Sequence, residues 1–303
     1  MAKIVGIGAC VMDTLFQIPF YPKEDTKLRA EDSCPAGGGP TATGLVAAQK
    51  LGVCTAYIGN LAQDGGGAFL KADFERFGVS TAYLTELSGY RSFTSVIWLS
   101  KDTAGRTCVF DRGNLPPLAL NDAQKQAIRD AQILMVDGND LAAAVEGAKI
   151  AHQSNTAVLY DCGGLYDGVE RLLCETDIMI PSEEFAMGHT GEKTALAAAK
   201  KLFAQYHPKV VVVTQGKAGG ILYDGKTAQS YPAFPVSAVD TNGAGDVFHG
   251  AFAAGLCRGY SYETCCLFAS AVSALKCTGT GARDSVPDFE TVKQFLKENG
   301  YEL

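Results

Sequence analysis

Short apolar runs rich in β-branched residues recur along this chain, and most are separated by a segment of helical length. Ile4–Ile7, Ala56–Gly59, Ile133–Val136, Val158–Tyr160, Ile178–Ile180 and Val210–Val213 read as buried strands. Thr41–Leu51, Gly67–Phe77, Asp122–Asp130, Leu141–Gln153 and Thr194–Gln205 carry apolar residues at helical spacing. Strand, helix, strand in succession predicts a mostly parallel central sheet with helices on both faces, an α/β/α sandwich. Two stretches break the rhythm. Residues 14–34 and 90–113 alternate at strand period, as in Ser92 to Leu99, with no helix between. They predict a small antiparallel sheet standing off one domain that spans 1–303. Such a β lid suits a site that must exclude water. From about residue 246 the chain reads as mainly helical.

Composition excludes several functions. The chain has 303 residues, 33 acidic against 26 basic, with a net charge of −7 and no Lys/Arg-rich run. That argues against nucleic acid or an anionic membrane as partner. Val210–Val213 and Ala251–Leu256 are far too short to span a bilayer. The N-terminal residues enter a strand without a cleavable signal layout. The ten cysteines show no CxxC pair, and adjacent Cys265–Cys266 suits neither a disulfide framework nor a zinc site. They are expected to be reduced, mostly buried thiols of a cytoplasmic protein. His152, His189, His207 and His249 are scattered, which argues against a histidine metal site.

The segment Val239 to Phe252 carries the most chemistry. Gly243, Ala244 and Gly245 allow close backbone approach, and a helix starts there with free N–H groups, an anion site for phosphate oxygens. Asp246 sits at the mouth of that helix, placed to act as general base on an attacking hydroxyl. The plainer reading is a glycine turn with Asp246 as an ordinary first-turn acid.

Asp240-Thr241-Asn242-Gly243-Ala244-Gly245-Asp246, followed after three residues by Gly250-Ala251, resembles the second signature of the ribokinase-like (PfkB) sugar kinases. Gly8 to Asp13 resembles that family's first strand, ending in its sugar-binding aspartate. Gly37-Gly38-Gly39-Pro40-Thr41-Ala42-Thr43 resembles its Gly-Gly loop and helix, and Thr214-Gln215-Gly216 to Gly219 its nucleotide turn. Tyr21 to Asp25, Gly105-Arg106-Thr107, Val136 to Asn139 and Ala274 to Cys277 are similar to the ketohexokinase branch. Sulfofructose-kinase-like proteins share the Gly-Gly-Gly-Pro form and the Asp246 to Gly250 stretch.

The resemblance implies a ribokinase-like fold and an ATP-dependent phosphotransferase acting on an alcohol group of a small carbohydrate, a fructose-like ketohexose. It implies that Asp13, Gly38, Gly39, Thr43, Asn139 and Asp246 hold the sugar, with Asp25 reaching a partner's site in a homodimer joined through the lids. Arg106, Thr214, Gln215, Gly216, Gly219, Gly243, Gly245, Cys277 and Gly279 are implied around ATP. Magnesium is implied with it, and a monovalent cation such as K⁺ near Asp240. The chain departs from the family at three places. Pro40 and Thr43 stand where asparagines usually bind sugar hydroxyls, and proline offers no side-chain hydrogen bond. In Pro181 to Phe185, Ser182 and Phe185 replace the Asn and Glu of the magnesium motif. Glu183 or Glu184 is left to serve the metal shell, or to be a solvated helix start.

Two motifs are rejected. Gly220 to Thr227 satisfies the Walker A pattern, but Ile221-Leu222-Tyr223 is strand-like, Asp224-Gly225 is a hairpin signal and Pro232 forbids a continuing helix. Gly6-x-Gly8 lacks the third glycine of a dinucleotide fingerprint. Other acceptors remain open: a sulfo-sugar, a sugar acid, a sugar phosphate or a nucleoside, with Arg29, Arg91 and Arg112 as candidate anion contacts. A sugar- or nucleotide-sensing module without turnover also remains.

Overall fold

The computed structural model of the chain describes residues 2–103 and 105–303. Its first four strands and two helices are β1 (Ile4–Ile7), β2 (Val11–Ile18), β3 (Asp32–Gly38), α1 (Pro40–Lys50), β4 (Thr55–Ala62) and α2 (Gly65–Phe77). Then come β5 (Ser80–Leu87), β6 (Thr94–Ser100), β7 (Arg106–Asp111), α3 (Asp122–Asp130), β8 (Ile133–Val136) and α4 (Leu141–His152). They are followed by β9 (Ala157–Cys162), α5 (Glu170–Leu173), β10 (Ile178–Pro181), α6 (Glu183–Thr190), α7 (Ala195–Tyr206) and β11 (Val210–Thr214). The chain closes with β12 (Gly220–Tyr223), β13 (Ala228–Tyr231), α8 (Ala244–Cys257), α9 (Tyr262–Lys276) and α10 (Phe289–Glu298).

The larger sheet has nine strands in the order β13-β12-β11-β10-β9-β8-β1-β4-β5. Every pairing from β11 across to β5 is parallel, and only β11–β12 and β12–β13 are antiparallel. The parallel strands β1, β8 and β10 are buried along their whole length, because helices cover both faces. One apolar cluster joins a sheet face to α1, α2, α8, α9 and α10; the other joins the opposite face to α3, α4, α6 and α7. The mostly parallel α/β/α architecture that the alternation predicts is the one observed. Among the described residues no helix is long and apolar enough to cross a membrane.

A second sheet, in the order β3-β2-β6-β7, is built from the two alternating stretches. It is not wholly antiparallel as expected. β2–β3 and β6–β7 are antiparallel, but the central pair β2–β6 is parallel. The alternating pattern sets which side chains share a face, not the sense of pairing, and α1, β4, α2 and β5 intervene between the two strands. One face of this sheet buries Asp13, Leu15, Ser95 and Ile97. On the other, Val96 and Val109 are 39% and 63% exposed. Ile18 does not add to that open face, being buried. The thiols also depart from expectation, since Cys34, Cys54, Cys108 and Cys174 are exposed.

The Walker-like segment is a hairpin. β12 and β13 pair antiparallel, and Asp224 closes the turn by accepting the N–H groups of Lys226 and Thr227 at 2.9 and 2.7 Å.

Two helices cross at backbone contact. A Cβ on Gly250 of α8 would lie 2.7 Å from the carbonyl carbon and 2.8 Å from the Cα of Gly44 in α1. Glycine is needed here for close approach, whereas a Cβ on Gly245 would meet nothing within 4 Å. Gly250→Ala should therefore cost about 1–3 kcal/mol, and Gly245→Ala less than about 0.5 kcal/mol, by chemical denaturation. Equal costs would contradict the crossing geometry.

Candidate functional site

The strand order reverses between β1 and β8: from β1 the chain builds outward to β4 and β5, then returns to build from β8 to β13. Crevices at the carboxyl ends of strands beside such a reversal are where α/β sheets bind ligands. Asp137 directly follows β8 there. Its carboxylate accepts the N–H groups of Ala9 at 2.8 Å, Thr41 at 3.1 Å and Asn139 at 2.9 Å, stitching β1, α1 and α4 together. Burial pushes its acidity down, and those three N–H groups oppose the shift.

A second buried acid lies beside it. Asp13 on β2 sits opposite Ser95 on β6, whose hydroxyl donates to Asp13 Oδ1 at 2.6 Å. Burial raises the Asp13 pKa from 3.8 to about 6; Ser95 and Arg283 pull it down, and the charge of Asp246 pushes it up. Asp13 and Asp246, distant in sequence, thus feel each other. Gly38 packs against the Asp13 carboxylate, and Gly39, at φ 94°, caps α1 hard against the Ala9 carbonyl.

Arg283, which sequence reasoning missed, ties this loop down. It is 2% exposed, donates to the Gly38 carbonyl at 2.7 Å, reaches the Thr43 hydroxyl at 3.4 Å, and pairs with Asp73 at 2.6 Å. Thr43 is fully buried, so in this chain it faces an arginine. Arg283 lies in a short loop with no periodicity or glycine motif to mark it. Asp137 was detectable as an acid at the carboxyl end of a buried strand.

The glycine loop forms as a left-handed turn at Gly243, φ 73°, leading into α8. The Ala244 N–H is not free, because it donates to the Thr241 carbonyl at 3.2 Å. Among the described residues the N–H groups of Gly243, Gly245 and Asp246 have no acceptor in the chain, so the anion site has moved one residue into the helix. The Asp246 carboxylate folds back toward this turn, with Oδ2 3.7 Å from where a Gly243 Cβ would stand. Burial raises its pKa; His249 and Arg106 oppose this, and Asp137 adds to it. From the small sheet, Arg106 on β7 crosses to the same loop and donates to the Asn242 side chain at 2.6 Å. One turn into α8, His249 lies 2.6 Å from the Gly245 carbonyl, 2.9 Å from that of Ile180 and 3.1 Å from Asp161 Oδ2. It anchors the first turn of α8 to β9 and β10.

Asp240 is buried below the loop. Its oxygens accept Asn242 N–H at 2.8 Å and Gly281 N–H at 2.9 Å, and its carbonyl accepts the fully buried Lys276 ammonium at 2.8 Å. Each Asp240 carboxylate oxygen thus accepts one N–H, and the Lys276 ammonium lies 3.9 Å from Oδ2.

Next to the glycine loop is a cavity of about 460 Å³ with mainly apolar walls. Thr214, Gly216, Gly219, Gly245 and Cys277 line it, together with Phe234. Gln215 and Gly279 do not: Gln215 donates to Glu183 at 2.7 Å, and Gly279 N–H is spent on Lys276 at 3.2 Å. Of the two acids nominated for a metal shell, Glu183 is therefore held beside the Thr214–Gly219 turn, and Glu184 is exposed. Ser182 caps α6, and Phe185 is buried against Tyr160 and His189. Asp25 is exposed on the β2–β3 connection at φ 59°. Asn139 lines a separate cavity at the reversal point.

Residues 1–288 match the model of the pfkB family carbohydrate kinases. A ribokinase from Haemophilus influenzae is 26% identical over 297 residues, covering 96% of this chain and 97% of its own. A 5-dehydro-2-deoxygluconokinase from Geobacillus thermodenitrificans is 28% identical over 291 residues, covering 86% and 84%. The structure of Arabidopsis thaliana ribokinase complexed with ribose and ATP superposes with a TM-score of 0.87 at 27% identity, covering 98% and 99%.

Asp13 gives a prediction. Its folded-state pKa of about 6 lies above the unfolded value of 3.8. The folded protein therefore holds the extra proton between these values, and Asp13 lowers stability as pH rises through that window. Asp13→Asn should raise stability above about pH 7 by on the order of 2 kcal/mol and flatten this part of the pH profile. Denaturant titrations at pH 4 and pH 8 check it; a variant less stable at pH 8 would refute the assigned burial cost.

Proposed function

The chain belongs to the pfkB family of carbohydrate kinases, ATP-dependent enzymes that phosphorylate sugar hydroxyls, and on that premise we propose that its acceptor is a small ketose of fructose-like shape. The observation that carries this is the meeting of Asp13, the Gly38–Gly39 loop, Asp246 and the free N–H groups of Gly243, Gly245 and Asp246 at one crevice. Ketose is favoured over ribose by the Gly-Gly-Gly-Pro loop, the Tyr21 to Asp25 segment and the Gly105-Arg106-Thr107 strand.

Asp13, ionised, accepts hydrogen bonds from two sugar hydroxyls and fixes the ring. Asp246 takes the proton of the attacking hydroxyl as its oxygen approaches the γ-phosphorus. A raised pKa brings its basicity closer to that task. The three free N–H groups meet the phosphoryl oxygens, and Arg106 supplies positive charge from the small sheet. The adenine side of ATP lies in the cavity walled by Phe234 and Cys277. Glu183, which accepts the Gln215 amide beside the Thr214–Gly219 turn, would hold the water shell of a magnesium ion, and that ion would supply neutralisation of the phosphate charge.

The exposed face with Val96 and Val109, flanked by half-buried Phe16 and Trp98, is proposed to be covered by the same face of a second copy. Asp25 would then serve the partner's acceptor site.

Turnover tests the reading. ADP release should be acceptor-dependent, and Asp246→Asn should lower kcat by roughly 10²–10⁴-fold while ATP and sugar binding persist. Binding of both ligands without ADP release in the wild-type chain would favour a sensing module. Trp98→Glu should shift the mass measured by light scattering from dimer to monomer and raise KM for the sugar. A wild-type monomer at micromolar concentration would end the dimer proposal.

A further inference from the structure

His249 stands one turn beyond Asp246 on α8, buried between the start of that helix and the strands β9 and β10. Both of its ring nitrogens face backbone carbonyls. Nδ1 lies 2.6 Å from that of Gly245, and Nε2 lies 2.9 Å from that of Ile180. A carbonyl oxygen can only accept, so each contact needs a ring N–H. A neutral imidazole carries one N–H, and in either tautomer its other nitrogen would turn a lone pair toward a carbonyl. Only the imidazolium satisfies both.

The charge this requires has a counter-ion. Asp161, buried on β9, places Oδ2 3.1 Å from Nδ1. The Nδ1 proton is committed to Gly245, and among the described residues Oδ2 accepts no hydrogen bond, so it meets the ring through charge. Burial pushes the Asp161 carboxyl up to about 7, His249 pulls against that, and Asp246 and Asp137 add to it.

Asp246 stands in a crowd of charges. Burial raises its pKa and Asp137, after β8, adds to the rise; His249 is the strongest influence holding it down, ahead of Arg106 on β7 and Arg283 before α10. Asp13 on β2, Asp161 on β9 and Lys276 on α9 also feel its charge. The crossing helix α1 carries only Lys50, whose ammonium is held by the Arg283 and Asp284 carbonyls.

We propose that His249 is a standing imidazolium and a positioning residue for phosphoryl transfer, its fixed charge keeping Asp246 ionised until the acceptor hydroxyl arrives. The role at Asp246, though not the charge on His249, rests on the kinase reading above. A general base must be free of its proton at the start of turnover, and three neighbouring acids work against that. The imidazolium opposes them from inside the helix. Because both its N–H groups go to carbonyls, it leaves the Asp246 oxygens to the hydroxyl.

Two measurements on the whole chain test this. Nitrogen NMR of the His249 ring, assigned through its bonded backbone, should show both nitrogens protonated in wild type from about pH 6 to pH 8. A ring nitrogen without its proton in that range overturns the inference, whether or not any variant folds. The protonated-carboxyl infrared band that Asp246→Asn removes reports Asp246 itself. His249→Gln, which keeps a donor toward Ile180 without the charge, should raise the pH at which that band appears by about one unit or more. The acid limb of kcat, followed by ADP release with the best acceptor from a panel of pentoses and hexoses, should move up with it. At about pH 6 the variant should turn over roughly tenfold more slowly than wild type and recover toward about pH 9. A folded variant with band and limb unmoved, slowed equally at every pH, makes His249 an anchor of α8 only and overturns the inference with the kinase reading standing. A shifted band in a wild-type chain that releases no ADP with any sugar upholds the charge assignment and overturns the kinase reading.

Discussion

The backbone contact between Gly44 and Gly250 is the constraint on which the site depends. α1 begins at the Gly38–Gly39 loop, proposed to meet the acceptor, and α8 begins at the glycine turn, proposed to meet phosphate. Neither loop holds its position alone. Crossing at Cα-to-carbonyl distance, the two helices lock both starts into one frame, so that Asp246 and Asp13 come within charge reach of each other. A single methyl at the crossing would push the frames apart. In-line transfer between a held hydroxyl and a held phosphoryl group tolerates little such movement.

Charge burial is the second organising fact, and it opposes stability. Asp13, Asp137 and Asp246 all have their pKa raised by burial at the strand ends. The chain moderates that cost with backbone N–H groups on Asp137, the Ser95 hydroxyl on Asp13, and the Arg283 guanidinium between Asp73 and the Gly38 carbonyl. Arg283 shows why the asparagines usual in the family are dispensable for shaping the loop here. It holds Gly38 and the buried Thr43 from behind, a job that needs reach and charge. Losing Asp73 would leave that guanidinium buried and uncompensated, which is costlier than never having had the pair.

Much of the fold was legible because its signals are local. Helical and strand periods located β1, β8, β11, α3 and α7 to within a residue or so, and Asp224-Gly225 marked the hairpin that defeats the Walker match. β5 was missed, since Ser80 to Leu87 is an edge strand with only partly buried side chains and no apolar run. The parallel pairing of β2 with β6 was misjudged because strand sense is set by what connects the strands. At the site, Asp246 and the glycine loop announce themselves through small residues before a helix. Which N–H groups remain free does not: the turn at Thr241 consumes that of Ala244, a fact of backbone geometry. Arg283, Lys276 and the Asp161–His249 contact are pairings across more than 30 residues of sequence, and nothing in either partner's neighbourhood announces the other.

Arg106 shows how the small sheet enters the chemistry. A protein of net charge −7 must bind a polyanion, and its general field opposes that. The opposition is overcome locally, by fixed dipoles at the start of α8 and by an arginine brought across the crevice to Asn242. Arg106 is carried on β7, so its charge reaches the loop from the small sheet, at the Asn242 side chain. β2, carrying Asp13 on its buried face, is the third element of the same sheet. On the proposed reading, the sheet that contacts the sugar through Asp13 also carries the charge that meets phosphate, which couples the two ends of the crevice.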